Sequence, residues 1–228
     1  MHKTAVVVGA GGDVGHGIAR ALLAGGWRLV TIGRRQPDQS DQDAIFLQGD
    51  VSTPEGAAKV ASEAVGRAGQ PDLVIASINT GLPPLPMSSM DGAAYLRMFS
   101  ANLVPHVEAA RAFLPVLKPN GTYLAIGGGM ADYVVPGMAG MSAVQAAQRM
   151  IFRHLAADPP RDDVRILELM LQSMIAGHSN AGRADPRWLT AAEVGRHVMA
   201  ILADPAAFPG PILRLATRKM VGVPDQAG

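Results

Sequence analysis

The chain contains no cysteine. That excludes disulfides, thiolate nucleophiles and cysteine-ligated zinc. It is compatible with a reducing compartment. Charge is also sparse: Lys and Arg total 20 against 19 Asp and Glu, a formal net charge of +1. So even a balance gives no electrostatic footprint for nucleic acid or an anionic membrane surface. No run reaches the roughly 20 apolar residues needed to cross a bilayer. Met1, His2 and Lys3 lead directly into a strand-like run, without signal-peptide flanks. These absences predict a soluble, cytoplasmic protein. The six histidines show no metal-ligand spacing, so no metal is expected.

What is present is a core-forming chain. Hydrophobic residues make up 48% and charged residues 17% of 228 residues. That length suits one α/β domain, and no composition shift divides residues 1–228. Short apolar runs recur at Ala5–Val8, Leu29–Ile32, Ala44–Leu47, Leu73–Ala76, Tyr123–Ile126, Val164–Met170 and Ile212–Leu215. They are nearly continuous rather than alternating, as in strands buried on both faces. Helical patterns separate most of them. Ser52-Thr53-Pro54-Glu55 reads as a helix start, and Thr190-Ala191-Ala192-Glu193 reads as a capping box. The alternation predicts a doubly wound, Rossmann-type parallel sheet of about seven strands, with helices on both faces. The Pro-rich piece from Gly81 to Pro86 reads as a loop. The polar run from Gly177 to Arg187, inside a segment spanning 171–189, is a candidate lid.

The first run opens into VGAGGDVGHGIARALL, which places Gly9, Gly11, Gly12, Asp13, Val14 and Gly15 between a strand and a helix. Backbone N–H groups at such a helix start can hold a phosphate, and glycines let it approach closely. The competing reading is a plain turn; the strand-loop-helix context favours nucleotide binding. At the end of the second run an acid for the ribose hydroxyls is missing. Gly33 stands there, followed by Arg34 and Arg35, which suit the extra phosphate of NADP(H) better than NAD(H). Their alternative is a solvated basic turn, and Asp13 works against a phosphate nearby. Asp50-Val51 closes the third run, where a carboxylate can bond an adenine amino group or cap the next turn.

With these features the chain resembles the short-chain dehydrogenase/reductase family over nearly its whole length. Two glycine registers fit: Gly11, Gly15 and Gly17, or Gly9, Gly12 and Gly15. Asp50-Val51 is similar to the family's adenine-contacting pair, and Ala76-Ser77-Ile78-Asn79 stands where its run after the fourth strand would be. Ala101-Asn102-Leu103 resembles its Asn motif, in which the Asn orders a proton-relay water. Ser77 joins the glycine loop as a cofactor-contact candidate on this alignment. The resemblance implies hydride transfer to or from a small molecule. It also implies a homodimer or homotetramer built on the helices after strands four and five.

The same alignment puts Gly128 on the family's substrate-bonding serine, Met141 on its proton-donating tyrosine and Gln145 on its ribose-holding lysine. Of those four catalytic positions Asn102 alone is kept. Met141 has no exchangeable proton. Gln145 can bond a ribose but carries no charge to lower a neighbour's pKa. Tyr133 is the substitute-donor candidate, set against a reading as an apolar wall residue. His106, His16 and His178 carry parallel alternatives: catalysis against packing, pyrophosphate contact against mere proximity, and a lid role against a solvated loop. Methionines 87, 90, 98, 130, 138 and 141 gather around the expected pocket, which suits an apolar substrate or simple core filling. Three functions follow: an NADP(H)-dependent oxidoreductase with a non-standard donor, a non-catalytic nucleotide-binding protein or partner subunit, or a redox-neutral isomerase or cyclase in the old pocket.

Overall fold

In the computed structural model, residues 2–36, 43–81 and 84–224 are described. Residues 82 and 83 of the expected loop lie outside them. The strands are β1 (Thr4–Val8), β2 (Arg28–Gly33), β3 (Ala44–Gln48), β4 (Leu73–Ala76), β5 (Thr122–Gly128), β6 (Arg165–Leu171), β7 (Ile175–Ala176), β8 (Leu189–Thr190) and β9 (Ile212–Leu215). The main sheet has seven strands, all paired in parallel, in the order β3-β2-β1-β4-β5-β6-β9. Each run expected to be a strand is one, within two residues at its ends.

The helices are α1 (Asp13–Ala24), α2 (Pro54–Ala68), α3 (Gly92–Asn102), α4 (Val104–Phe113), α5 (Ala139–Ala157) and α6 (Ala191–Ala203). Successive strand residues face opposite sides, so two cores form. Val6 and Val8 pack with Val60, Phe113 and Phe152 of α2, α4 and α5. Ala5 and Val7 pack with Ile18, Leu22, Val194 and Val198 of α1 and α6. The starts of the helices explain their placement. Thr53 caps α2 by accepting from Gly56 N–H at 3.1 Å, with Pro54 in the first turn. Asp91 caps α3 by accepting from Ala94 N–H at 2.7 Å. Thr190 and Glu193 form the expected reciprocal box on α6.

The strand order reverses between β1 and β4, so their carboxyl ends open a crevice for a ligand. The polar 177–187 run is bracketed by a small parallel pairing, Ile175 with Leu189 and Ala176 with Thr190. That pairing draws the two ends of the run together beside the main sheet. No described helix is long and apolar enough to cross a membrane.

Candidate functional site

The crevice holds a cavity of about 1200 Å³. The loops after β1, β2, β3 and β4 build one side of it, and α3 the other. Gly9, Gly11 and Gly12 reach it from the first loop, Arg34 and Arg35 from the second, and Asp50 and Val51 from the third; Ser77 follows from the fourth. Eight sequence-chosen residues thus converge on one space. Arg97 on α3 joins them, a third guanidinium that no motif marked. Its signal was absent because it lies mid-helix, in a segment with no phosphate pattern of its own.

The glycine loop resolves its own register. Gly9 has φ +85°, and a Cβ there would lie 2.1 Å from Ser77 O. A Cβ at Gly15 would lie 2.3 Å from Gly9 O. These two positions let the strand, the turn and the helix close on one another. Gly17 does something else: its Cβ would lie 2.2 Å from Ala191 O, so it is the contact point of α1 with α6. Gly195 answers it from α6, with a Cβ 2.4 Å from Gly17 O. The packing therefore favours the register based on Gly9 and Gly15, and Gly17 serves helix crossing.

Asp13 is the first residue of α1 and faces away from the cavity wall, toward the polar run after β6. Its carboxylate accepts from Ser179 N–H at 3.1 Å and from the Ser179 hydroxyl, and it pairs with His178 Nδ1 at 2.7 Å. Burial pushes this carboxyl up, but the Ser179 hydrogen bonds and the His178 charge outweigh it and hold its pKa below the ordinary value. Gly177 permits the approach, since a Cβ there would lie 2.2 Å from Asp13 Cγ. The His16 ring meets the His178 ring edge-on at 5.9 Å. Val14 and Gly15 continue the helix behind Asp13.

At the end of β5 the residues aligned with the family's catalytic positions are packed closely together. A Cβ at Gly128 would lie 2.3 Å from Gln145 Nε2, so the Gln145 amide occupies the room a side chain at 128 would need. Gln145 Oε1 is buried without a hydrogen-bond partner. Met141 is 4% exposed. One residue earlier, Gly140 admits the side chains of Met98 and Met90, whose Sδ and Cε would lie 2.1 and 2.7 Å from a Cβ there. Met90 and Met98 also line the cavity, so a thioether layer joins it to the start of α5. Tyr133 is 52% exposed, its ring lying over Gly129. The loop that carries it is tied back to α5 by an Arg149–Asp132 ion pair.

Asn102 is buried and grips the loop after β4. Its Oδ1 accepts from Thr80 N–H at 2.7 Å, and its Nδ2 donates to Met98 O at 3.2 Å. His106, one turn later and fully buried, bonds Ile78 O through Nε2 at 2.9 Å. Burial lowers its pKa to about 4, the Ile78 contact opposing, so it is neutral near pH 7 with Nε2–H as donor. Both residues therefore hold Ile78–Thr80, which forms part of the cavity wall.

The sequence reading also missed Glu168 on β6. It is 1% exposed and lies against Gly127, where a Cβ would be 2.1 Å from its Oε1. Gln148 Nε2 donates to that Oε1 and to Ile126 O, each at 3.0 Å, while Oε2 has no partner. Burial raises the Glu168 pKa to about 7 against the opposing Gln148 hydrogen bond and Arg149 charge. In the sequence it is one acid inside an apolar run, and nothing local distinguishes it from a strand-edge residue.

Comparison with known proteins matches this architecture. The model of the short chain dehydrogenase family matches residues 3–182. A 1-deoxy-11-beta-hydroxypentalenate dehydrogenase from Streptomyces avermitilis is 28% identical over 177 residues, covering 72% of this chain and 66% of the relative. Other curated relatives are matched over 30% and 43% of their own lengths. An alcohol dehydrogenase from Thermococcus sibiricus, solved with 5-hydroxy-NADP, superposes with TM-score 0.79 at 24% identity, covering 94% of this chain and 96% of that one. A short chain oxidoreductase from Pseudomonas aeruginosa PAO1, described as containing an atypical catalytic center, superposes with TM-score 0.80 at 14% identity, covering 99% and 97%. With the family model spanning well over half its length and the strand order, glycine loop and crevice all in place, the chain belongs to the short-chain dehydrogenase/reductase family.

Proposed function

We propose that the chain binds NADP(H) and that any hydride transfer it performs uses a non-standard proton donor. Family membership brings a nicotinamide nucleotide with it. The adenosine end of such a group fits the residues present: the positive-φ cradle at Gly9, the crevice, and Arg34, Arg35 and Arg97 on its walls. Three guanidiniums and no acid at the end of β2 favour a ribose carrying a phosphate over a bare one. The nicotinamide would supply the hydride, and its end fits less well. Gly128 brings no hydroxyl, Met141 no proton and Gln145 no charge.

The observation that carries this reading is the Gln145 amide packed into the space beside Gly128. At the positions aligned with the family's serine and lysine, Gly128 and Gln145 pack against each other, which supports an arrangement other than the family's usual one. The thioether layer of Met90 and Met98 suits an apolar substrate. Tyr133, half-exposed with its ring over Gly129, is the candidate hydroxyl donor in the loop after β5. A second reading, a nucleotide-binding subunit without turnover, is favoured by Met141, a buried thioether with no exchangeable proton at the position aligned with the family's tyrosine. Self-association through α3, α4 and α5 belongs to either reading, because Leu96, Val104 and Met150 are exposed there.

Fluorescence titration with NADPH and NADH tests the nucleotide. NADPH is expected to bind more tightly, and Arg34→Asp is expected to weaken NADPH by about tenfold or more while sparing NADH, as loss of a charge-assisted phosphate contact would. Saturable binding of neither nucleotide would end the proposal. A panel of activated carbonyls then separates the two readings. Turnover lost in Tyr133→Phe supports the oxidoreductase. Turnover found only in the triple variant Gly128→Ser/Met141→Tyr/Gln145→Lys, where general acid catalysis of about 10²- to 10⁴-fold is restored, supports the subunit.

A further inference from the structure

The cavity carries guanidiniums and the start of α1 a carboxylate, and a chain segment is held against that carboxylate. Arg34, Arg35 and Arg97 reach the cavity at its far end. On the glycine loop its lining stops at Gly12, and neither Asp13 nor any residue of 171–189 contributes to it. The next residue, Asp13, puts a carboxylate at the helix start, where backbone N–H groups and the helix dipole would otherwise favour a phosphate. That carboxylate is engaged by Ser179 N–H, the Ser179 hydroxyl and His178. The segment carrying those partners is internally braced: Asn180 accepts from Gly177 N–H at 3.0 Å and donates to Ile175 O at 2.9 Å. It approaches so closely that a side chain at Gly177 would collide with Asp13.

We propose that Asp13, Ser179 and His178 form a latch holding the 171–189 segment against the start of α1. The cavity then takes the 2′-phosphoadenosine end of a dinucleotide and admits the diphosphate and nicotinamide only when the latch opens. The proposal rests on the NADP(H) reading and adds which part of the ligand is recognised. Asp13 opposes the diphosphate in two ways. It repels the charge directly, and it holds in place the segment that must move aside. The adenosine end is untouched by either effect, because its contacts come from the loops after β2, β3 and β4 and from α3.

The experiment is calorimetric titration of NADP⁺ and adenosine 2′,5′-bisphosphate into wild type, Asp13→Ala and Ser179→Ala. Wild type should bind the two ligands within about threefold of each other. Asp13→Ala should tighten NADP⁺ by about tenfold, leaving the bisphosphate unchanged, and Ser179→Ala should shift NADP⁺ in the same direction by less. Tryptic cleavage after Arg183 or Arg187 reports the segment without any ligand, and it should speed up in both variants. Wild-type NADP⁺ binding about 100-fold tighter than the bisphosphate would overturn the latch and leave the NADP(H) reading standing. So would an NADP⁺-to-bisphosphate ratio unchanged in both variants. Binding of neither ligand by wild type would overturn both.

Discussion

The two ends of the crevice are built in different ways. At the adenosine end the backbone does the work: Gly9 turns through positive φ against Ser77 O, and Gly15 closes on Gly9 O. At the β5–α5 end a strand runs into a loop and a small-residue helix, and side-chain packing does the work. Gln145 fills what Gly128 vacates, and Met141 is buried. A turn that admits no Cβ allows no substitute, whereas side chains on a helix face can be replaced in concert while the packing stays intact.

The largest effect should come from breaking the backbone end. Gly9→Val forces a β-branched residue into positive φ and against a carbonyl, and about 3–4 kcal/mol of stability should be lost together with nucleotide binding. Thermal unfolding and NADPH titration read the two. A variant with near-wild-type stability would mean that the turn is tolerant and the comparison fails.

The next effect tests the rebuilt end through Glu168. Its folded pKa of about 7 lies above the ordinary 4.5, so the folded state holds the proton longer than the unfolded state. Its contribution is fully present below about pH 4.5 and is lost as pH rises through 7. Glu168→Gln should match wild type near pH 4.5 and exceed it by on the order of 3 kcal/mol at pH 8, from roughly 1.4 kcal/mol per unit. Denaturant midpoints across pH measure this; a difference that does not vary with pH would remove the buried-acid account.

The smallest effect is the most specific. Gly128→Ser alone should cost about 1–2 kcal/mol, because the new side chain meets the Gln145 amide. In a Gln145→Ala background the same change should be nearly free, giving a coupling of about 1 kcal/mol in a double-mutant cycle. Strict additivity would show that the two side chains do not contribute to each other's packing.

Much of the fold was legible because its signals are local. Apolar runs with flanking caps, such as Leu73–Ala76 or Thr190 with Glu193, mark strands and helix starts within a few residues. The residues at the end of β5 and on α5 were readable as well, since the resemblance aligns Gly128, Met141 and Gln145 with the family's serine, tyrosine and lysine. The glycine register was left open, because Gly9, Gly11, Gly12, Gly15 and Gly17 satisfy two spacings at once. The contact between Gly17 and Ala191 of α6 decided between them.

By itself, then, the sequence determined the parallel sheet, the glycine loop between β1 and α1 and the paired arginines after β2. Tertiary structure alone decided that Asp13 is held by Ser179, that Gln145 lies beside Gly128, that Asn102 and His106 grip the loop after β4, and that Glu168 is buried. The reason is range. Periodicity and capping are set by neighbours three or four residues apart, whereas Asp13 and Ser179 stand 166 residues apart and meet only because the sheet brings their loops to one edge.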